Sequence, residues 1–215
     1  MSERPVYLVA AGGHGSVVLD TLAEMGVAVA GIVDPALRAG DRVFDVPVLG
    51  GDAWLDARRG DELVLANGAG AQPYKNLHGT LYERFHRRGF EFISVRHPSA
   101  VVGRDAAFAE GSQVLAGCVV QCRARIGRNV VINTRASVDH DCVVGDHAFV
   151  GPGATLCGDV RIGAGTFVGA AAVILPGVEV GRGAIVAAGA IVARNVPDGA
   201  LVMGVAAAQK GRRDL

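Results

Sequence analysis

From Val102 onward every sixth residue is large and apolar, running Val102, Phe108, Val114, Val120, Ile126, Ile132, Val138 and on to Val186 and Val192, sixteen positions without an exception. The residue two places before each is small or β-branched, as in Ala124, Val130, Ala136, Cys142 and Ala148, and glycine follows seven of the sixteen. A period of six does not match the 3.6 of an amphipathic helix, and glycine inside helices is unfavourable. It does match a parallel β-helix. Each hexapeptide supplies a short strand with one large and one small inward side chain, then a turn, and stacked coils share one continuous core.

Residues 1–97 keep a different rhythm. An apolar strand at Val6 to Ala10 runs into the glycine turn Ala11-Gly12-Gly13-His14-Gly15. Ser16 to Met25 then places Val17, Val18, Leu22 and Met25 at helical spacing, and Val27 to Val33 reads as a second strand ending at Asp34. This is a βαβ unit opening with a glycine loop. Further strands are expected at Leu63 to Ala66 and Phe90 to Val95, with a helix near Leu77 to Arg87. The expected organisation is therefore a small Rossmann-like α/β domain with a parallel sheet over 1–97, a parallel β-helix over 98–196 and a tail over 197–215.

Composition narrows the partners. With 21 basic and 21 acidic residues in 215, charge gives no reason to expect nucleic acid or an anionic membrane. The start of the chain lacks the pattern of a secretory signal, and the longest apolar run, near Gly183 to Ala193, falls short of the ~20 residues that span a bilayer. The expected location is the cytoplasm. Cys118, Cys122, Cys142 and Cys157 form no CxxC pair and read as reduced core thiols.

Two places carry candidate chemistry. Val138 and Cys142 are inward positions of the repeat, so Asp139, His140 and Asp141 lie on an outward turn. Histidine has the intrinsic basicity to accept a proton near neutral pH, and a carboxylate on its other ring nitrogen would fix the tautomer, with Asp141 the first choice and Asp139 the second. At the other place, the loop of Gly12, Gly13 and His14 opens a helix whose amides and dipole suit a phosphate. Asp34, at the end of the second strand, is placed either to read a nucleoside or to cap a turn.

Taken together, the glycine-loop domain, the hexapeptide run and the stretch Ser137-Val138-Asp139-His140-Asp141-Cys142-Val143-Val144-Gly145 resemble, over nearly the whole chain, a family of bacterial sugar N-acetyltransferases. These are related to the sialic-acid O-acetyltransferases and act on nucleotide-linked 4-amino sugars. The resemblance implies a left-handed triangular prism of about five turns, a homotrimer with sites between neighbouring prisms, and acetyl-CoA as co-substrate without a metal. It implies His140 as general base and Asp141 as its partner, acting by direct attack. It further implies nucleotide-sugar contacts at Gly12, Gly13, His14, Asp34, Pro35, Asn67, Gly68 and Lys75, and acetyl-CoA contacts at Gly158, Ala170 and Ala188. GDP-perosamine is the first implied substrate, with UDP- or dTDP-linked sugars and O-acetylation as alternatives. Two departures stand out. Phe149 replaces a second histidine that some relatives place near the acetyl group, and Gly204-Val205-Ala206-Ala207 has alanine where the family's closing motif has proline. A zinc hydrase of the γ-carbonic-anhydrase type would need three converging histidines, and the repeat holds only His140 and His147.

Overall fold

A computed structural model of the chain describes residues 4–204. The front part is a six-stranded sheet in the order β3-β4-β2-β1-β5-β6. Its elements are β1 (Val6–Val9), α1 (Gly13–Glu24), β2 (Val29–Val33), β3 (Arg42–Val43), β4 (Val46–Gly50), α2 (Ala53–Asp56), β5 (Val64–Asn67), α3 (Leu77–His86) and β6 (Glu91–Phe92). All pairs are parallel except β3 with β4. One apolar cluster packs Val18, Leu19 and Leu22 of α1 on Val6, Leu8, Ile32 and Ala66, and a second packs Tyr82 and Phe85 of α3 with Leu65 and Phe90. The glycine loop is itself the first turn of α1, earlier than the expected Ser16 start, because Gly12 caps the helix with its backbone alone.

The expected strand from Phe90 to Val95 is split between two sheets. Glu91–Phe92 closes the front sheet, while Val95–Arg96 is already the first rung of the solenoid. The solenoid has three faces of parallel two-residue strands. The first runs from Val95–Arg96 to Leu201–Val202, the second from Val101–Val102 to Ile191–Val192, and the third from Ala107–Phe108 to Glu179–Val180. Partners lie one coil of eighteen residues apart, as Gln113 with Val131 and Ser137 with Thr155. The large and small repeat positions form a single buried column from Val114 to Val196.

Each corner is made in the same way. From Asp105 to Gly189 every sixth residue has positive φ, with Arg123, Asn129, Arg135, Asp141, His147, Asp159 and Ala171 among those that are not glycine. Asn, Asp and His tolerate this region better than other side chains, and glycine holds it at no steric cost. The apolar clock stops at Val192 because the last coil is two residues short. Ile185 pairs with Leu201 and Val180 with Val196, sixteen apart instead of eighteen, which carries the ladder to Val202. Residues 205–215 of the tail, and with them Val205 to Ala207 of the closing motif, lie outside the described residues. Among the described residues no helix is long and apolar enough to cross a membrane.

Candidate active site

His140 occupies the corner between the second and third faces. Its Nδ1 lies 2.8 Å from Asp141 Oδ2, and its own backbone N–H donates to Asp139 Oδ1 at 2.7 Å. Asp141 is therefore the carboxylate on the ring, and Asp139 holds the turn. Asp141 is gripped in turn by Arg123, one coil earlier, whose Nε and terminal NH2 donate to its two oxygens at 2.6 and 2.8 Å. Arg123 first and His140 second hold the Asp141 carboxyl well below the usual range. A permanently ionised Asp141 makes Nδ1 the donor nitrogen and leaves Nε2 as the acceptor. The His140 side chain is 53% exposed.

Gly158 stands one coil beyond His140. A Cβ there would sit 2.7 Å from both Cε1 and Nε2 of the imidazole, so only glycine lets the ring lie flat across that rung. Ala170 and Ala188 are exposed on a different corner, between the first and second faces. One chain does not bring them to His140.

In the front domain a cleft of about 550 Å³ gathers Gly12, Gly13, His14, Asp34, Gly68 and Lys75. The glycines in and beside it include two kinds. Side chains at Gly15 and Gly68 would collide with the Ala10 carbonyl oxygen at 2.4 and 2.0 Å, so these glycines serve internal packing. A Cβ at Gly12 or Gly13 would meet nothing within 4 Å, and neither has positive φ. Nothing in the chain itself requires glycine at these two positions. The Asp34 carboxylate accepts the Ala11 N–H at 2.7 Å and the Ala36 N–H at 2.8 Å, tying the glycine loop to the end of β2. It lines the cleft while acting as a turn cap. Pro35 follows on the exposed rim, against Gly51.

The structure does not bring Asn67 into the cleft. It is 2% exposed, and its amide nitrogen donates to Asn129 Oδ1 at 2.9 Å and to the His78 carbonyl at 3.0 Å, while its oxygen accepts the Ala69 N–H. Asn67 is one member of a buried polar joint that sequence reading missed. His78 donates through Nε2 to the Asn129 carbonyl at 2.6 Å, and burial lowers its pKa to about 4, so it is neutral. Asn129 donates to His147 Nδ1 at 3.0 Å, and His147 Nε2 meets Glu83 of α3 at 3.0 Å. His14 joins from the glycine loop through Gln113 at 2.8 Å, and Gln113 donates to the Asn67 carbonyl at 2.6 Å. Burial lowers the His14 pKa as well. Front domain and solenoid are thus locked by satisfied polar groups, whose loss would leave buried donors unpaired.

Arg123 carried a readable signal, since it precedes Asp141 by one coil, as Arg128 precedes its partner Asp146. The links that cross from the front domain to the solenoid had none, because their partners sit 46 to 99 residues apart. The two histidines of the repeat diverge. His147 is committed to Asn129 and Glu83, and among the described residues no group of three or more His, Cys, Asp or Glu could hold a metal ion. The buried thiols are unreactive by environment, burial raising Cys118 and raising Cys142 to about 11.

Comparison with known proteins agrees with this architecture. Residues 123–158 and 159–194 match the bacterial transferase hexapeptide family, and residues 5–68 match the PglD N-terminal domain. The chain is 38% identical, with a TM-score of 0.86 over 98% of its length and 99% of the other, to perosamine N-acetyltransferase from Caulobacter crescentus. That protein was crystallised as a histidine-to-asparagine mutant in complex with CoA and GDP-perosamine. It is 30% identical, with a TM-score of 0.84 over 94% and 97% of the two chains, to the acetyltransferase domain of PglB from Neisseria gonorrhoeae in complex with acetyl coenzyme A. A 70-residue stretch is 31% identical to GDP-perosamine N-acetyltransferase of Escherichia coli O157:H7, spanning about a third of each chain. The chain belongs to the bacterial nucleotide-amino-sugar N-acetyltransferases of the hexapeptide-repeat, left-handed β-helix family related to the sialic-acid O-acetyltransferases.

Proposed function

We propose that this protein transfers the acetyl group of acetyl-CoA to the 4-amino group of a nucleotide-linked amino sugar, with GDP-perosamine the first candidate acceptor. The observation that carries this reading is the His140-Asp141 pair on a chain similar, over nearly its whole length, to a protein crystallised with CoA and GDP-perosamine. His140 Nε2 takes a proton from the amine as its nitrogen attacks the thioester carbon. The tetrahedral intermediate collapses with cleavage of the C–S bond, and the proton passes from His140 to the departing thiolate. Asp141, fixed by Arg123, stabilises the imidazolium. The Gly158 amide is the candidate donor to the developing oxyanion, and Ala170 and Ala188 offer a low wall for the pantetheine arm.

The front domain, from β1 through β6, holds the nucleotide sugar. The open space beside Gly12 and Gly13 lets a diphosphate approach the N-terminus of α1, with His14, Gly68 and Lys75 around it and Asp34 and Pro35 toward the nucleoside. Asn67 acts as a brace behind that cleft. Among the described residues none lines both this cleft and the His140 corner within one chain, and Ala170 and Ala188 lie on another corner again. This separation favours a homotrimer in which neighbouring prisms complete each site. The enzyme is read as cytoplasmic, where acetyl-CoA and nucleotide sugars are available. Incubation with acetyl-CoA and GDP-, UDP- or dTDP-linked 4-amino sugars, followed by mass analysis, tests the reading. A product carrying one amide-linked acetyl group supports it; unchanged sugars with every nucleotide reject it, and an ester-linked acetyl group rejects N-transfer.

A further inference from the structure

The nucleotide cleft continues beyond Lys75. Ala71, Gln72 and Lys75 also edge a second hollow of about 360 Å³, whose far wall is the outer surface of the first solenoid face. On that wall Phe149 and Phe167, direct partners in the strand ladder, stack with ring centroids 5.0 Å apart and planes 9° from parallel. Phe149 is 8% exposed and Phe167 is half-buried. The polar side chains nearest on the solenoid side are already engaged: Thr166 donates its hydroxyl to the Gly181 carbonyl at 2.6 Å, and His147 is held between Asn129 and Glu83. A hydroxyl turned toward the rings, away from Gln72, Tyr74, Lys75 and Asn76 on the opposite side of the hollow, would give up water without gaining a partner, whereas a C–H or methyl edge there would bury apolar surface on an aromatic face.

Given the transferase reading above, we propose that the Phe149–Phe167 stack is the specificity platform for the sugar, accepting the apolar edge of a deoxygenated amino sugar and disfavouring one that carries a hydroxyl there. Continuity with the nucleotide cleft assigns the occupant. A sugar joined through its diphosphate to a nucleoside at Gly12, Gly13 and Asp34 is led into this hollow by the shared edge of Ala71, Gln72 and Lys75.

The test compares kcat/KM for two acceptors on the same nucleotide, a 6-deoxy 4-amino sugar and its counterpart retaining the 6-hydroxyl, in the wild type and in Phe167→Ala and Phe167→Leu. A preference of about tenfold or more for the deoxy acceptor is expected in the wild type and, reduced but present, in Phe167→Leu, which keeps the wall apolar, with a collapse toward equality in Phe167→Ala. An unchanged preference in Phe167→Ala, or equal losses for both acceptors, would overturn the platform. Light scattering on the same variant covers the other occupant of an apolar row: if Phe167→Ala breaks up the assembly, the wall is a subunit contact and the platform is rejected. A wild type inactive on every amino sugar would instead reject the transferase reading itself.

Discussion

His140 is held at one ring nitrogen and open at the other, and the rate should depend on both conditions. His140→Ala is expected to lower kcat by about 10²- to 10⁴-fold, the usual worth of a positioned proton acceptor, with the far-ultraviolet spectrum unchanged. Asp141→Asn keeps the shape of the pair but removes the charge facing the ring, so a smaller loss, about tenfold or more, should fall on kcat rather than on KM for the nucleotide sugar. Equal kcat values for Asp141→Asn and wild type would remove Asp141 from the mechanism. His78 offers a different check, on stability. Its imidazole protonates at about 4 in the fold, against 6.5 when free, so the unfolded chain gains a proton at higher pH than the native protein does. Stability should therefore fall as pH drops from about 6.5 to about 4, by up to about 3 kcal/mol, and this contribution should level off below that window. Thermal midpoints across the range should show a shallower fall in His78→Gln; an identical slope would mean that His78 is not the group responsible.

At the scale of single elements, the coil separates packing glycines from a glycine that makes room for chemistry. Gly158→Ala places a methyl group against the His140 ring and should cost most of the activity at little cost in thermal stability. Gly151→Ala instead meets the backbone nitrogen of Ala170 at 2.7 Å, so it should lower the unfolding midpoint. Parallel activity and melting measurements on the two variants distinguish these effects, and a reversed pattern would contradict the assignment of Gly158. The same scale shows what the chain discloses in advance. The hexapeptide clock identifies the coils because every inward position is repeated, and it places His140 outward because Val138 and Cys142 must point in. The four front-domain strands read from the sequence have bounds legible to within a few residues, except at Phe90 to Val95, where a single apolar run serves two sheets. The antiparallel pair of β3 and β4 and the short α2 went unread, so the sheet is mixed where a parallel one was expected. Asn67 reads as a cleft residue because it ends a strand beside Gly68, yet its side chain turns inward to meet Asn129. Long-range polar partners of that kind leave no periodic trace. The two-residue shortening after Val192 is equally silent until the ladder reveals Leu201 opposite Ile185.

For the molecule as a whole, the separation of the front cleft from the His140 corner predicts that two damaged chains can repair each other. His140→Ala and Gly13→Trp, the latter filling the open side of the glycine loop, should each be nearly inactive alone. After mixed refolding they should regain a measurable fraction of wild-type rate, because some interfaces unite an intact cleft with an intact histidine. Absence of any recovery in a confirmed mixed assembly would mean that each chain completes its own site. The most direct measurement is the rate of CoA thiol release from acetyl-CoA in the presence and absence of a GDP-linked 4-amino sugar, for the wild type and His140→Ala side by side. The expected result is release that requires the amino sugar, matches the amount of N-acetylated product and disappears in His140→Ala. Release that ignores the sugar, or that survives the loss of His140, would contradict an acetyl transfer driven by this histidine.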